Sequence, residues 1–254
     1  MPELQPPPPD TADIGAVRVV SPEQLKTWSR CKAKFNYQHV LQLAWPTDTS
    51  NFKLGQEVHK LMDYQAQGLT AYLPAMLASA DAPVVFCWEG LMADPVASWP
   101  VIRSEWAFWI PMKHGDSHWL LGGRIDRISR DPASNQVVII DWKTGTATPR
   151  LPEQDWQTRV YCYAVYEARA ELGLPDITPE DIAFLYVEIN PRQPERGIRQ
   201  VRVPYSRTRH EANRLSILAQ LDAMDRETEY PLPETCPDRH CPYRPVCGID
   251  ENPI

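Results

Sequence analysis

The sequence predicts an α/β core carrying a helical addition. Three observations lead there: amphipathic helical spacing over residues 21–68, a cluster of alternating and dry strand-like runs over 101–145, and helices interleaved with strands from there to residue 227. With 254 residues the chain is long enough to bury a full core.

The start, "MPELQPPPPD", is proline-rich and polar and has no signal-peptide pattern. Residues 1–15 therefore read as a disordered arm ahead of one domain over 16–254. "SPEQLKTWSRCKAKFNYQHV" opens a helix with Ser21 as N-cap and Pro22 in the first turn, and sets Leu25, Trp28, Cys31 and Phe35 at helical spacing. A second amphipathic helix, "NFKLGQEVHKLMDYQAQG", closes at Gly68, and residues 70–99 read as short helices. "VIRSEWAFWI" alternates and is aromatic, hence a strand, with "PMKHGDSH" as the turn after it. "WLLGGRIDRIS" and "QVVIIDWKTG" flank "RDPASN", whose turn chemistry makes the pair a hairpin. A long helix, "EQDWQTRVYCYAVYEARAEL", two strands, "IAFLYVEIN" and "GIRQVRVPY", and a helix over 206–227 complete the core. The tail "CPDRHCPYRPVCG" is too rich in cysteine and proline for a long element.

A net charge of −7 excludes a generally basic nucleic-acid coat, and no apolar run is long enough to span a bilayer. The expectation is a cytoplasmic protein without a membrane partner. Basic residues are nonetheless clustered. Residues 192–214 hold seven arginines against two acids, and "KTWSRCKAK" supplies Lys26, Arg30, Lys32 and Lys34. Both patches are candidate phosphate contacts, though a solvated charged face is the commoner origin of either.

The hairpin carries the chemistry. Side chains alternate along a strand, so Asp141 and Lys143 share one face at the end of a dry run while Trp142 points to the other. In a symmetric hairpin the centre falls between Ala133 and Ser134, which sets Asp126 directly opposite Asp141. Cross-strand Cβ atoms lie about 4.5–5.5 Å apart, and carboxylates that close repel unless something positive stands between them. Lys143 is one such group. A hard divalent cation, Mg2+ or Mn2+, is a better one, because it takes carboxylate, water and phosphate oxygens. A lysine beside it can orient or deprotonate an attacking water, or stabilise charge on a phosphate. Two solvated acids and a surface lysine are the bland alternative.

These residues carry a resemblance. "GGRID", fourteen residues, then "DWK" resembles the bipartite motif of the PD-(D/E)XK nuclease superfamily, with only the Asp of the "PD" part present. "GQEVH" is similar to the upstream histidine motif of its RecB-like branch, and "QTRVY" to the downstream Q-x-x-x-Y motif. The resemblance implies a restriction-endonuclease-like core, a mixed central sheet flanked by helices. It implies a metal held by His59, Asp126, Asp141 and the backbone carbonyl of Trp142. It gives Asp126, Asp141 and Lys143 catalytic roles and has Gln157 and Tyr161 position the strand. The implied activity is exonucleolytic hydrolysis of single-stranded or frayed DNA. Glu105, in "SEWAF", is a further acid with a weaker claim to the site.

Six cysteines are present, and Cys87 and Cys162 sit in apolar surroundings as buried bystanders. Cys236, Cys241 and Cys247 form C-x4-C-x5-C, need a fourth ligand, and find a candidate in Cys31. Spacing alone would favour zinc. One early and three late cysteines bracketing a RecB-like core instead resemble the iron–sulfur nucleases, which include the CRISPR-adaptation exonuclease family and the AddB nuclease domain. That resemblance implies a [4Fe–4S] cluster on Cys31, Cys236, Cys241 and Cys247, tying a helical cap to the chain's end. The usual spacing of the first two late cysteines is closer than here. A role in CRISPR adaptation or DNA repair would call for an integrase or helicase partner chain. The rival reading is a catalytically weak nucleic-acid-binding or partner-recruiting subunit, against which the intact His59, Asp126, Asp141 and Lys143 speak.

Overall fold

The structure, a computed structural model, describes residues 17–43, 50–115, 117–145, 148–238 and 240–248; the expected arm at 1–15 lies outside them. In chain order the elements are β1 (Arg18–Val20), α1 (Pro22–Arg30), α2 (Lys32–Phe35), α3 (Ser50–Ala66), α4 (Leu73–Ser79), α5 (Ala82–Ala93), β2 (Val101–His114), β3 (Ser117–Arg130), β4 (Val137–Thr144), α6 (Trp156–Glu167), β5 (Ile182–Ile189), β6 (Arg199–Pro204), α7 (Arg207–Arg226) and α8 (Arg244–Cys247). The expected α/β class holds: six strands form one mixed sheet with helices on both faces.

The strand order is β1-β3-β4-β5-β6, with β2 also on β3. β2 runs antiparallel along almost all of β3, so β1 and β4 must share the opposite edge of β3. β1 pairs with Trp119–Leu121 and β4 with Arg127–Arg130. Between them the sheet forks, and residues 122–126 face the fork. The β3–β4 register pairs Arg127 with Ile140 and Arg130 with Val137, the symmetric hairpin that the sequence predicts.

β4 and β5 are parallel and buried along nearly their whole length, as expected of strands covered on both faces. Val137 and Ile139 face a core shared with α6 and α7; Val138, Ile140 and Trp142 face a second core shared with α3 and α5. Each such side chain contributes about 1.5–3 kcal/mol of burial, so this hairpin is a stiff platform.

Several boundaries depart from the sequence reading. β1 was not foreseen, because three residues carry too little pattern. "PMKHGDSH" is mostly strand, since β2 and β3 keep pairing out to His114 and Ser117. The first helix breaks at Cys31, whose backbone is extended, and resumes as α2 and a π-turn over Asn36–Val40. The helix expected over 153–172 is only Trp156–Glu167, because Asp155 caps its start and Pro152–Gln154 form a separate 3-10 turn. Gly68 does close the second helix, in the left-handed region. Among the described residues no helix is long and apolar enough to cross a membrane.

Candidate metal centre

The centre lies at the C-terminal end of β4, beside the fork. Asp126 comes from β3, Asp141 and Lys143 from β4, His59 from α3, and Gln157 and Tyr161 from α6. Two glycines of the sequence motifs let these elements close in. A Cβ on Gly55 would meet Thr144 Oγ1 at 3.4 Å, so α3 lies hard against the end of β4. A Cβ on Gly123 would meet Phe108 at 2.6 Å and Tyr161 at 3.1 Å, so the aromatic rings occupy the space that this residue leaves.

The Trp142 backbone is the hub. Its N–H donates to Asp126 Oδ2 at 3.1 Å, and its carbonyl oxygen lies 2.8 Å from His59 Nε2. His59 Nδ1 is 3.4 Å from Asp126 Oδ1. Ligands at right angles on a cation with bonds of about 2.1 Å stand about 3 Å apart, so the His59 Nδ1–Asp126 Oδ1 spacing suits a shared hard cation, while the other ring nitrogen is engaged by the Trp142 carbonyl. Asp141 stands beside this pair, outside the group of His59, Glu105 and Asp126 whose ligand atoms lie within 4.8 Å of one another. Its Oδ2 is enclosed and makes no regular hydrogen bond among the described residues, although the Lys143 ammonium stands 2.7 Å away. The donor set therefore fits Mg2+ or Mn2+.

Gln157 spans the other side. Its Nε2 donates to Asp141 Oδ1 at 2.6 Å, and its Oε1 accepts from Lys143 Nζ at 3.1 Å. Charge fixes this amide orientation: the NH2 must face the carboxylate and the carbonyl the ammonium. Tyr161 is almost fully buried, stacked on Phe184 and edge-on to Phe108, and its hydroxyl engages the Gln157 side chain and the Arg124 backbone. It reaches the centre through those groups, whereas the sequence reading had both residues positioning the substrate strand.

The electrostatics match a cation site. Burial disfavours charge on His59, yet the Asp126 carboxylate outweighs it and raises the imidazole to about 9. Burial likewise opposes charge on Asp126, but His59, Lys143 and the Trp142 N–H hold its pKa below the usual carboxylate range. For Asp141 burial prevails over Lys143, with Asp126 adding to it, and its pKa is raised.

Glu105 earns more than its sequence claim. The β2–β3 register pairs Ser104 with Arg127 and Trp106 with Ile125, which brackets Glu105 opposite Asp126. Its carboxylate, His59 and Asp126 offer ligand atoms within 4.8 Å of one another. Its φ of +46° is a costly backbone state for a non-glycine residue, and the neighbouring Ser104 hydroxyl is held by Asp63 Oδ1 at 2.5 Å. Burial and Asp126 push Glu105 up to about 7. Centring the β2–β3 hairpin on Gly115–Asp116 would have disclosed this pairing from the sequence.

The basic patches divide. Lys26, Lys32 and Lys34 are held by Asp155, Glu227 and Asp238, which takes that patch out of the free phosphate contacts. Arg202 is tied to Asp131 at 2.9 Å at the far end of the sheet. Arg192, Arg196 and Arg199 are exposed, and the register Lys143–Glu188–Arg199 puts Arg199 on the same end of the sheet as the centre.

Elsewhere, Cys31, Cys236 and Cys241 line one cavity of ≈ 50 Å³ between α1 and the tail. The Cys247 thiol feels those of Cys31 and Cys236. Cys87 and Cys162 are buried in the two cores, as expected.

The sequence model of the PD-(D/E)XK nuclease superfamily matches residues 19–248. A solved structure from Eubacterium rectale, provisionally named an exonuclease, shares 13% identity with a TM-score of 0.53, covering 93% of this chain and 91% of its own. The solved structure of SSO0001 shares 13% identity with a TM-score of 0.45, covering 94% and 90%. No curated protein matches the sequence.

Proposed function

The chain belongs to the PD-(D/E)XK nuclease superfamily, and from that membership we propose that it is a metal-dependent exonuclease of the RecB-like branch. Its substrate is single-stranded or frayed DNA, met in CRISPR adaptation or DNA repair. The observation that carries this reading is the convergence of Asp126 and His59 on the Trp142 backbone, with the Asp141–Lys143 pair on either side of it in the chain. The provisional name of the Eubacterium rectale protein is in keeping with the exonuclease mode.

His59, Asp126, Asp141 and the Trp142 carbonyl would hold Mg2+ or Mn2+ in this reading, with Glu105 within reach of the His59 and Asp126 ligand atoms. The cation would supply Lewis-acid activation of the scissile phosphate and its attacking water. Lys143, fixed between Asp141 and Gln157, presents its ammonium where charge develops on the phosphate. The exposed Arg192 and Arg196 would neutralise flanking phosphates of the strand, whereas Arg199 is paired with Glu188.

Cys31, Cys236, Cys241 and Cys247 hold a [4Fe–4S] cluster in this reading. Three of them, Cys31, Cys236 and Cys241, line one cavity, which supports this reading.

The test is degradation of end-labelled single-stranded DNA by anaerobically purified protein of known iron and sulfide content, with Mn2+, Mg2+ or EDTA. Metal-dependent shortening is expected, with Asp141→Ala slower by about a thousandfold or more. No shortening with either metal, from protein carrying its full iron, would replace this reading with a binding or partner-recruiting role.

A further inference from the structure

Gln157 owes its place to a residue outside the motif. Asp155 is the N-cap of α6, and its Oδ1 accepts the Gln157 N–H at 3.0 Å, fixing the backbone of the second residue of the helix. Its Oδ2 is 3.0 Å from Lys26 Nζ on α1, and the Asp155 side chain is only 8% exposed. A cap needs one oxygen, and serine or threonine would serve. The second oxygen, buried against an ammonium, sets the rotamer of the first. One residue on, the Trp156 indole N–H donates to Ser29 Oγ at 3.0 Å, so α1 grips the start of α6 at two points. Beyond Gln157 the path ends on Asp141 and Lys143.

We infer that Asp155, with Lys26 as its counter-charge, is a positioning residue for the nuclease centre. It acts through Gln157 to hold the Lys143 ammonium and the Asp141 carboxylate in their working places. The inference rests on the nuclease reading for its kinetic readout, and on side-chain geometry alone for its spectroscopic one. Small displacements of a reacting group cost much: about 1 Å can cost a hundredfold in rate. Capping itself costs little, about 1 kcal/mol, and α6 is otherwise secured by its buried face.

The experiment uses the full chain with its metals and compares Asp155→Ala, Asp155→Asn, Lys26→Met and the Asp155→Ala/Lys26→Met double variant. Asp155→Ala is expected to lower kcat by about a hundredfold, with KM and the Ca2+-supported oligonucleotide Kd near wild type. Asp155→Asn, which keeps one cap acceptor but turns its NH2 toward the Lys26 ammonium, should recover only part of that loss. Lys26→Met should slow the wild type yet add nothing to Asp155→Ala, because one path carries both effects. In parallel, the Gln157 side-chain NH2 resonances, assigned by their loss in Gln157→Glu, should move to free-amide positions in Asp155→Ala and move less in Asp155→Asn. Unchanged kcat, a matching rise in KM and Kd, or full additivity with Lys26→Met would overturn the inference. If wild type cleaves nothing, the nuclease reading fails. The NH2 resonances then decide the positioning by themselves: movement in Asp155→Ala supports it, and none refutes it.

Discussion

The two ends of the β3–β4 hairpin each carry an aspartate chemistry, and they treat it in opposite ways. At the closed end Asp131 is surrounded by donors: the Ala133 N–H at 2.9 Å, the Ser134 hydroxyl at 2.8 Å and Arg202 at 2.9 Å. Burial opposes its charge, but those donors win and hold its pKa below the ordinary range. At the open end Asp141 has one Gln157 hydrogen bond, one ammonium and a rival carboxylate across the strands, and burial raises its pKa. Same hairpin, same residue type. The difference separates a carboxylate that closes a turn from one kept short of donors, ready for a ligand that supplies positive charge.

Substitutions should break that comparison in two directions. The largest effect is expected from Asp141→Asn, which should slow cleavage by about a thousandfold. A gel assay checks it. Asp131→Asn should do the reverse, losing about 1.5–3 kcal/mol of stability and leaving the cleavage rate alone. Its pH dependence has a definite sign. The folded pKa is depressed, so the Asp131 contribution is full above the unfolded carboxylate value of about 3.9 and is lost as pH falls through the folded value. The stability gap between wild type and Asp131→Asn should therefore shrink on acidification, as urea melts across that window would record. Arg202→Ala should give the smallest change, about 1 kcal/mol or less, because the arginine side chain is 35% exposed. A larger loss there than in Asp131→Asn would mean that the backbone donors are not what holds the closed end.

Much of the centre was legible because strand pairing is arithmetic. The turn at "RDPASN" fixes the hairpin centre, and the observed register follows it as far as Arg127 and Ile140, the residues next to Asp126 and Asp141. Glu105 obeys the same arithmetic on the β2–β3 hairpin, but its turn was drawn too wide to apply it. Gln157 and Tyr161 share a helix face, as their spacing requires, yet burial divides them: one meets the polar centre and the other is sunk among aromatic rings. The basic patches illustrate a different gap. Sequence shows where cations cluster along the chain, while the acids that neutralise Lys32 and Lys34 lie 195 and 204 residues away.

The sequence by itself determined the α/β order, the dry central strands, the hairpin register and the residue types at its mouth. These depend on local periodicity and turn chemistry, which act over a few residues. Only the tertiary structure decided that the sheet forks beside Asp126 and that the Trp142 backbone joins His59 to Asp126. It alone decided, too, that α1 reaches Gln157 through Asp155. Each of these is a contact between segments far apart in the chain, fixed by packing against two shared cores rather than by any pattern that a stretch of residues could carry alone.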